Sequence, residues 1–370
     1  MEAWTMATGI HFVQSVTADL VFDDEDLGNA YASFNLDNMG GTNANGTGLI
    51  VDASINIGKD WIEDDWTLND GVDLDSYSFQ TYIHEIGHAL GLGHAGPYNG
   101  SADYTQFEGG DAAFINDSWQ MSVMSYFSQT ENTFIDATFA YVVTPMLADI
   151  QAIHQLYNTS GNIRDTDTIY GVGSTAGGYY DTVLGLANPV TFTVVDDGGV
   201  DTIDVSVFGS DQMINLNGNS ISSIAGNVGN MSIMDGTEIE NVVMGSGDDV
   251  VYANDVGNDN YGGAGTDIVS YIASDAAVTV NLGAGNANSG YAQGDTLTGI
   301  QGVQGSEYGD ILIGASVVNL MDGGDGDDSI SVGGGDDIVE AGDGNDSVIA
   351  SAGNDEVNAG EGNDDVYGGV

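Results

Sequence analysis

From residue 323 to residue 367 the chain repeats every nine residues without a slip. The units read GGDGDDSIS, VGGGDDIVE, AGDGNDSVI, ASAGNDEVN and AGEGNDDVY, and they follow G-G-x-G-x-D-x-U-x with U apolar. A fixed period allows few folds, because every unit must make the same turn and bury its one apolar residue against its neighbours. Glycines open positive φ angles and expose backbone carbonyls, the aspartate adds a charged oxygen, and the triplet after it makes a short strand. Stacked units give an all-β parallel β-roll with Val251, Val269, Ile330, Val339, Val348, Val357 and Val366 pointing inward. A flexible linker would not keep an apolar residue at every eighth position of the period.

Oxygen cages between such turns suit a hard cation, and several Ca²⁺ ions are expected. In the regular block, about 323–370, the expected ligands are Asp328, Asp337, Asp346, Asp355 and Asp364, with Gly326, Gly335, Gly344, Gly353 and Gly362. A less regular block, about 244–270, offers Asp249, Asp259 and Asp267 with Gly247 and Gly265.

Charge makes the same demand. The 370 residues hold 57 Asp and Glu against two basic residues, Lys59 and Arg164, for a net charge of -55. Such self-repulsion opposes compaction unless cations offset it. One divalent ion per motif aspartate, about eight in all, would remove only about 16 of those charges. The remainder suits a hydrated acidic surface adapted to salt. Nucleic acid is excluded as a partner, since nothing basic can displace counterions from phosphates. No apolar run is long enough to insert in a membrane, and the opening MEAWTMATGI has no charged n-region followed by an apolar stretch. The chain has no cysteine, so bound ions rather than disulfides must stiffen it.

Ahead of the Gly/Asp-rich half, residues 1–160 read as an α+β domain, with the boundary to a β-rich domain, 161–370, near NTSGNIRDTDT. GIHFVQS, ADLVFDD, AYASFNL and LIVDASINI have the alternation of strands. SYSFQTYIHEIGHALG carries Phe79, Ile83, Ile86 and Leu90 at helical spacing and stops at Gly91. A second helix is expected in TPMLADIQAIHQLY, with Thr144 as N-cap and Pro145 at the first position. His154 on that helix is read as a packing or solvent-facing residue.

Three of the five histidines fall within eleven residues. His84 and His88 are i and i+4 on one helix face and can reach one metal ion. Glu85 lies between them, and Gly91 lets the chain reverse and return His94 as a third ligand. Three neutral nitrogens and an open position describe one catalytic zinc. Glu85 could then move a proton as general base and acid. By composition alone, H-E-x-x-H-x-x-G-x-x-H would arise on the order of 10⁻⁵ times in such a chain.

This motif resembles that of the metzincin zinc proteases. SVMSYF at 122–127 is similar to their Met-turn, with Met124 beneath the metal, and Tyr126 matches the serralysin branch. The resemblance extends through ADIQAIHQLYN, RDTDTIYG, DDGGVDTID and the RTX-type repeats. It implies a secreted zinc metalloendopeptidase of peptidase family M10, with a metzincin catalytic domain followed by the calcium-binding roll. It implies that Tyr126 is a further zinc ligand and oxyanion stabiliser, and that the edge strand around IVDASINI holds an extended peptide. It further implies protein or peptide substrates, a type I secretion system as exporter, and a monomer. Set against the family pattern, the N-terminal helix and propeptide are expected to be missing, and the C-terminus to be truncated. VTVNLGAGNANSGYAQGDTLTGIQGVQGSEYGDILIG is similar to a β-rich element between repeat blocks of other exported calcium-binding proteins. The competing reading is a calcium-binding surface or adhesion protein with an inert protease-like domain.

Overall fold

The computed structural model describes residues 1–15, 17–26, 29–36, 50–59, 73–104, 110–159 and 163–369. It divides into two compact units. The first is Met1–Asp165 with Gly177–Asp197 and Asn227–Met234; the second is Thr166–Ala176, Gly198–Gly226 and Asp235–Val370.

In the first unit three strands, β1 (Leu20–Asp23), β2 (Ala30–Leu36) and β3 (Ile50–Ile57), form a sheet in the order β1-β3-β2. β1 runs parallel to β3 and β2 antiparallel to it. IVDASINI is therefore the centre strand and not an edge, because both of its sides are already hydrogen-bonded. The edge nearest the candidate site is β2. GIHFVQS forms no strand: the left-handed Gly9 turns the chain, and Val13 is 84% exposed with no β-partner among the described residues.

A helix spans Glu2–Thr8, where none was expected before the first strand. Its Trp4 is fully buried and donates its indole N–H to Ile83 O at 3.0 Å. The helix carrying the histidine motif spans Tyr77–Ala89, capped by the Ser76 side chain, which accepts from Phe79 N–H. The helix Leu147–Tyr157 begins later than expected, with Met146 and not Thr144 as N-cap. Asp149 decides this start, because its carboxylate accepts the Met146 N–H at 2.9 Å. Trp4, Ile55, Ile83, Ile86, Met124 and Ile153 belong to the core that these elements share.

The second unit is a parallel β-roll of three-residue strands in an eleven-stranded and a seven-stranded sheet. Each nine-residue unit contributes one strand, and successive units alternate between sheets. Ile330 therefore pairs with Val348, and Met321 with Val339. Val251, Val269, Ile330, Val339 and Val348 are buried, Val357 is half-buried and Val366 is 46% exposed. An α+β unit and a parallel roll are the architecture that the pattern of the chain predicts.

Candidate metal centre

The helix Tyr77–Ala89 presents His84 and His88 on one face. Gly91, at φ +98°, reverses the chain, and Leu92 N–H returns to Gly87 O at 3.0 Å. His94 comes back against the same face. Three ring nitrogens, one from each imidazole, lie within 4.8 Å of one another. Each Nδ1 sits at a backbone carbonyl: His84 at Val123 O, 2.8 Å; His88 at Leu92 O, 2.8 Å; His94 at Tyr98 O, 2.9 Å. Those carbonyls accept Nδ1–H, which leaves the Nε2 lone pairs free to converge. His88 Nε2 and His94 Nε2 are 3.0 Å apart. Burial lowers the pKa of all three rings, that of His84 to about 3, so the cluster is neutral and ready to bind a cation.

Glu85 lines a cleft of about 390 Å³ together with Ala30, Tyr77, His84, Trp119 and Tyr126. It is 6% exposed, and its Oε2 is buried without a hydrogen-bond partner. Burial raises its pKa to about 7, against the opposing hydrogen bond from the Ala32 backbone on β2. A carboxyl poised near neutrality can both take and return a proton.

The Tyr126 ring packs 4.4 Å from that of His94, and its hydroxyl accepts from Gly100 N–H at 3.4 Å. Met124 lies under the helix. A Cβ at Gly87 would stand 2.5 Å from Met124 Sδ and 3.1 Å from Trp4 Cζ2, so glycine is what lets both pack against the turn between Glu85 and His88.

Asp149 was not singled out by motif. Its carboxylate, 2% exposed, accepts from Ser122 Oγ at 2.6 Å, Val123 N–H at 2.7 Å and Met146 N–H at 2.9 Å. It thereby tethers the segment whose Val123 carbonyl orients His84. Asp149→Ala would leave the Val123 and Met146 N–H groups buried without an acceptor, costing about 1–3 kcal/mol. Scanning calorimetry should show Tm falling by roughly 2–4 °C per kcal/mol for a unit of this size. An unchanged Tm would refute the tether.

In the roll, sixth-position carboxylates form ladders. Asp267 Oδ1 accepts Asp249 N–H, Asp328 accepts Asp310 N–H, Asp346 accepts Asp328 N–H and Asp364 accepts Asp346 N–H, at 2.7–3.1 Å. Asp355 and Asp337 do the same on the other side. The second oxygens of Asp267, Asp328, Asp337 and Asp346 are buried without partners. Asp259 stands off the ladder: it is the first residue of its strand and exposed, while Asn258 occupies the ladder position. Asp201, Asp295 and Asp310 occupy ladder positions that the glycine motif did not single out. A bare x-D-x-U-x signal, as in VDTID, GDTLT and GDILI, would have found them. Gly326 sits at φ +120° with Tyr308 C 2.5 Å from where a Cβ would lie, so successive coils touch there backbone to backbone.

Residues 159–286 match the family described as peptidase M10 serralysin C terminal. Residues 304–339, 313–348 and 340–370 match the RTX calcium-binding nonapeptide repeat, and residues 68–139 match peptidase M66. The chain is 43% identical over 190 residues, 51% of its length, to a serralysin of Photorhabdus luminescens. It is 40% identical over 196 residues, 52% of its length, to the metallopeptidase AprA of Pseudomonas marginalis. To serralysin B of Dickeya chrysanthemi it is 34% identical over 254 residues, 68% of its length. The matches span 39%, 41% and 51% of those relatives, so the chain covers about half their length or less.

Proposed function

We propose that this chain, which carries a serralysin C-terminal segment and RTX repeats, is a secreted, calcium-stabilised zinc endopeptidase acting on proteins or peptides. The observation that carries the reading is the convergence of three neutral imidazoles beside a buried carboxyl oxygen that has no partner in an open cleft. Three nitrogen donors suit zinc and leave a coordination position for substrate or water. His84, His88 and His94 hold the ion, with Tyr126 as a further ligand. When bound, zinc supplies Lewis acidity to a carbonyl and to a water.

The remaining steps belong to the chain's own residues. Glu85 Oε2 takes the proton of the attacking water and passes it to the leaving amine. Tyr126 donates its hydroxyl to the oxyanion. β2, which pairs only with β3 among the described residues, offers its outer edge to an extended peptide, which lies along it as an added strand. Met124 supports the site from below. In the roll, the partnerless oxygens of Asp267, Asp328, Asp337 and Asp346 are where Ca²⁺ would bind. Asp355 and Asp364 complete the set with the fourth-position glycines, whereas Asp249 already accepts Gln212 N–H at 2.8 Å on Oδ1 and Gly245 N–H at 3.2 Å on Oδ2.

Tyr126→Phe should lower kcat about 10- to 1000-fold, as loss of one oxyanion donor does. Steady-state kinetics on an unfolded protein substrate, with zinc content measured beside it, tests this. An unchanged kcat removes the role from Tyr126. Hydrolysis of such a substrate that a chelator stops and Zn²⁺ restores is the test of the proposal as a whole. An inert, calcium-binding protein would be the reading that survives its failure.

A further inference from the structure

The ladder carboxylates are not alike. In the repeat blocks Oδ1 is used within the ladder, and Oδ2 of Asp267, Asp328, Asp337 and Asp346 is buried with nothing opposite it. Between the blocks the chain closes both oxygens with its own donors. Asp295 Oδ1 accepts Asn258 N–H at 2.8 Å, and Oδ2 accepts the hydroxyl of the fully buried Tyr271 at 2.8 Å. Asp310 Oδ1 accepts Val278 N–H at 2.7 Å, and Oδ2 accepts Ser306 N–H at 2.6 Å. Ser306 Oγ lies 2.9 Å and 3.1 Å from the two Asp310 oxygens. At the next ladder position stands a neutral Asn319, whose Oδ1 accepts Ala315 N–H at 2.7 Å and whose Nδ2 donates to Gln301 O at 2.9 Å.

The core changes at the same place. Tyr271, Val278, Val280, Ala287, Ala292, Leu297 and Ile300 are all buried here, around a strand, Asn286–Asn288, that runs antiparallel to both of its neighbours. The later coils bury little more than single valines, isoleucines and alanines, and their last inward residue, Val366, is 46% exposed. A carboxylate with a donor on each oxygen gains less from a cation than one with a buried empty oxygen.

We infer that residues 271–313 form a cation-independent core within the roll, in which Asp295 and Asp310 take no metal and hydrogen bonds replace it. The cation-dependent block 323–367 then orders by stacking onto a surface that is already folded. This rests on the calcium reading of the repeats given above.

Hydrogen exchange of the full chain, followed peptide by peptide in chelator and in millimolar Ca²⁺, tests the inference. In chelator, residues 271–313 should exchange at least about tenfold more slowly than 323–367, a contrast of the kind that separately stable units show. Adding Ca²⁺ should slow 323–367 and leave 271–313 little changed. Tyr271→Phe should abolish the protection of 271–313 in chelator by leaving Asp295 Oδ2 buried without a donor, and Ser306→Ala should weaken it. Equal exchange of the two segments in chelator overturns the inference. If both were fast, the calcium reading of the repeats would stand; if both were slow, that reading would fall as well. Variants that keep the protection of 271–313 in chelator also overturn it.

Discussion

Glu85→Ala is expected to retain one equivalent of zinc and to lose hydrolysis, by about 10²- to 10⁴-fold in kcat, the range a positioned general base supplies. The separation follows from the geometry. The metal ligands are the three imidazoles, whose Nδ1 atoms are fixed by the carbonyls of Val123, Leu92 and Tyr98, and none of those bonds involves Glu85. Glu85 contributes a carboxyl whose pKa burial has raised to about 7 and whose Oε2 has no partner. Removing it takes away the proton carrier and leaves the nitrogen cluster in place. Metal content by mass spectrometry and turnover of an unfolded protein substrate check the two halves. Full activity in the variant would sink the mechanism, and loss of zinc together with activity would make Glu85 structural. An inert wild-type chain would favour the adhesion reading.

Removal of Ca²⁺ should unfold the coils from 323 to 367 in the otherwise intact chain. The ladder places Asp310, Asp328 and Asp346 in one column, and burial, then the neighbouring carboxylates Asp310, Asp346 and Asp322, raises the Asp328 pKa to about 7. Without a cation, each buried ionised oxygen costs free energy that a core of single aliphatic side chains cannot offset. With a cation, binding and folding become one event, and a ligand at about 1,000 times its Kd contributes about 4 kcal/mol per site. Far-ultraviolet circular dichroism of the full chain should therefore lose part of its β signal in chelator and regain it in millimolar Ca²⁺. Mg²⁺ should restore little, because it prefers an octahedral and partly hydrated site. A signal unchanged by chelator, or restored equally by Mg²⁺, would contradict the assignment. The same dependence would keep the block unfolded where free Ca²⁺ is low.

Much of the candidate site was legible because its geometry is local. The i, i+4 spacing of His84 and His88 is a property of any helix, and Gly91 marks the reversal that returns His94. The nine-residue period likewise sets which residues face inward and which carboxylates stack, since neighbouring coils see each other at a fixed separation of 18 residues. Where the period slips, the reading slips with it: at NDVGNDNY the strand begins one residue early by the motif count, and Asn258 replaces Asp259 on the ladder.

Sequence by itself determined the repeat register, the three imidazoles, the carboxyl between them and the pairing of an α+β unit with a roll. Tertiary structure alone decided that β3 is a centre strand, since an edge is defined by which neighbours pair with it. It also decided that Trp4 reaches Ile83 across 79 residues, that Asp149 holds Val123 across 26, and that Tyr271 closes Asp295 across 24. Helical and repeat spacings are fixed by backbone geometry, so they can be counted along the chain. Which buried carboxylate meets a hydroxyl and which is left for a cation depends on residues that only folding brings together.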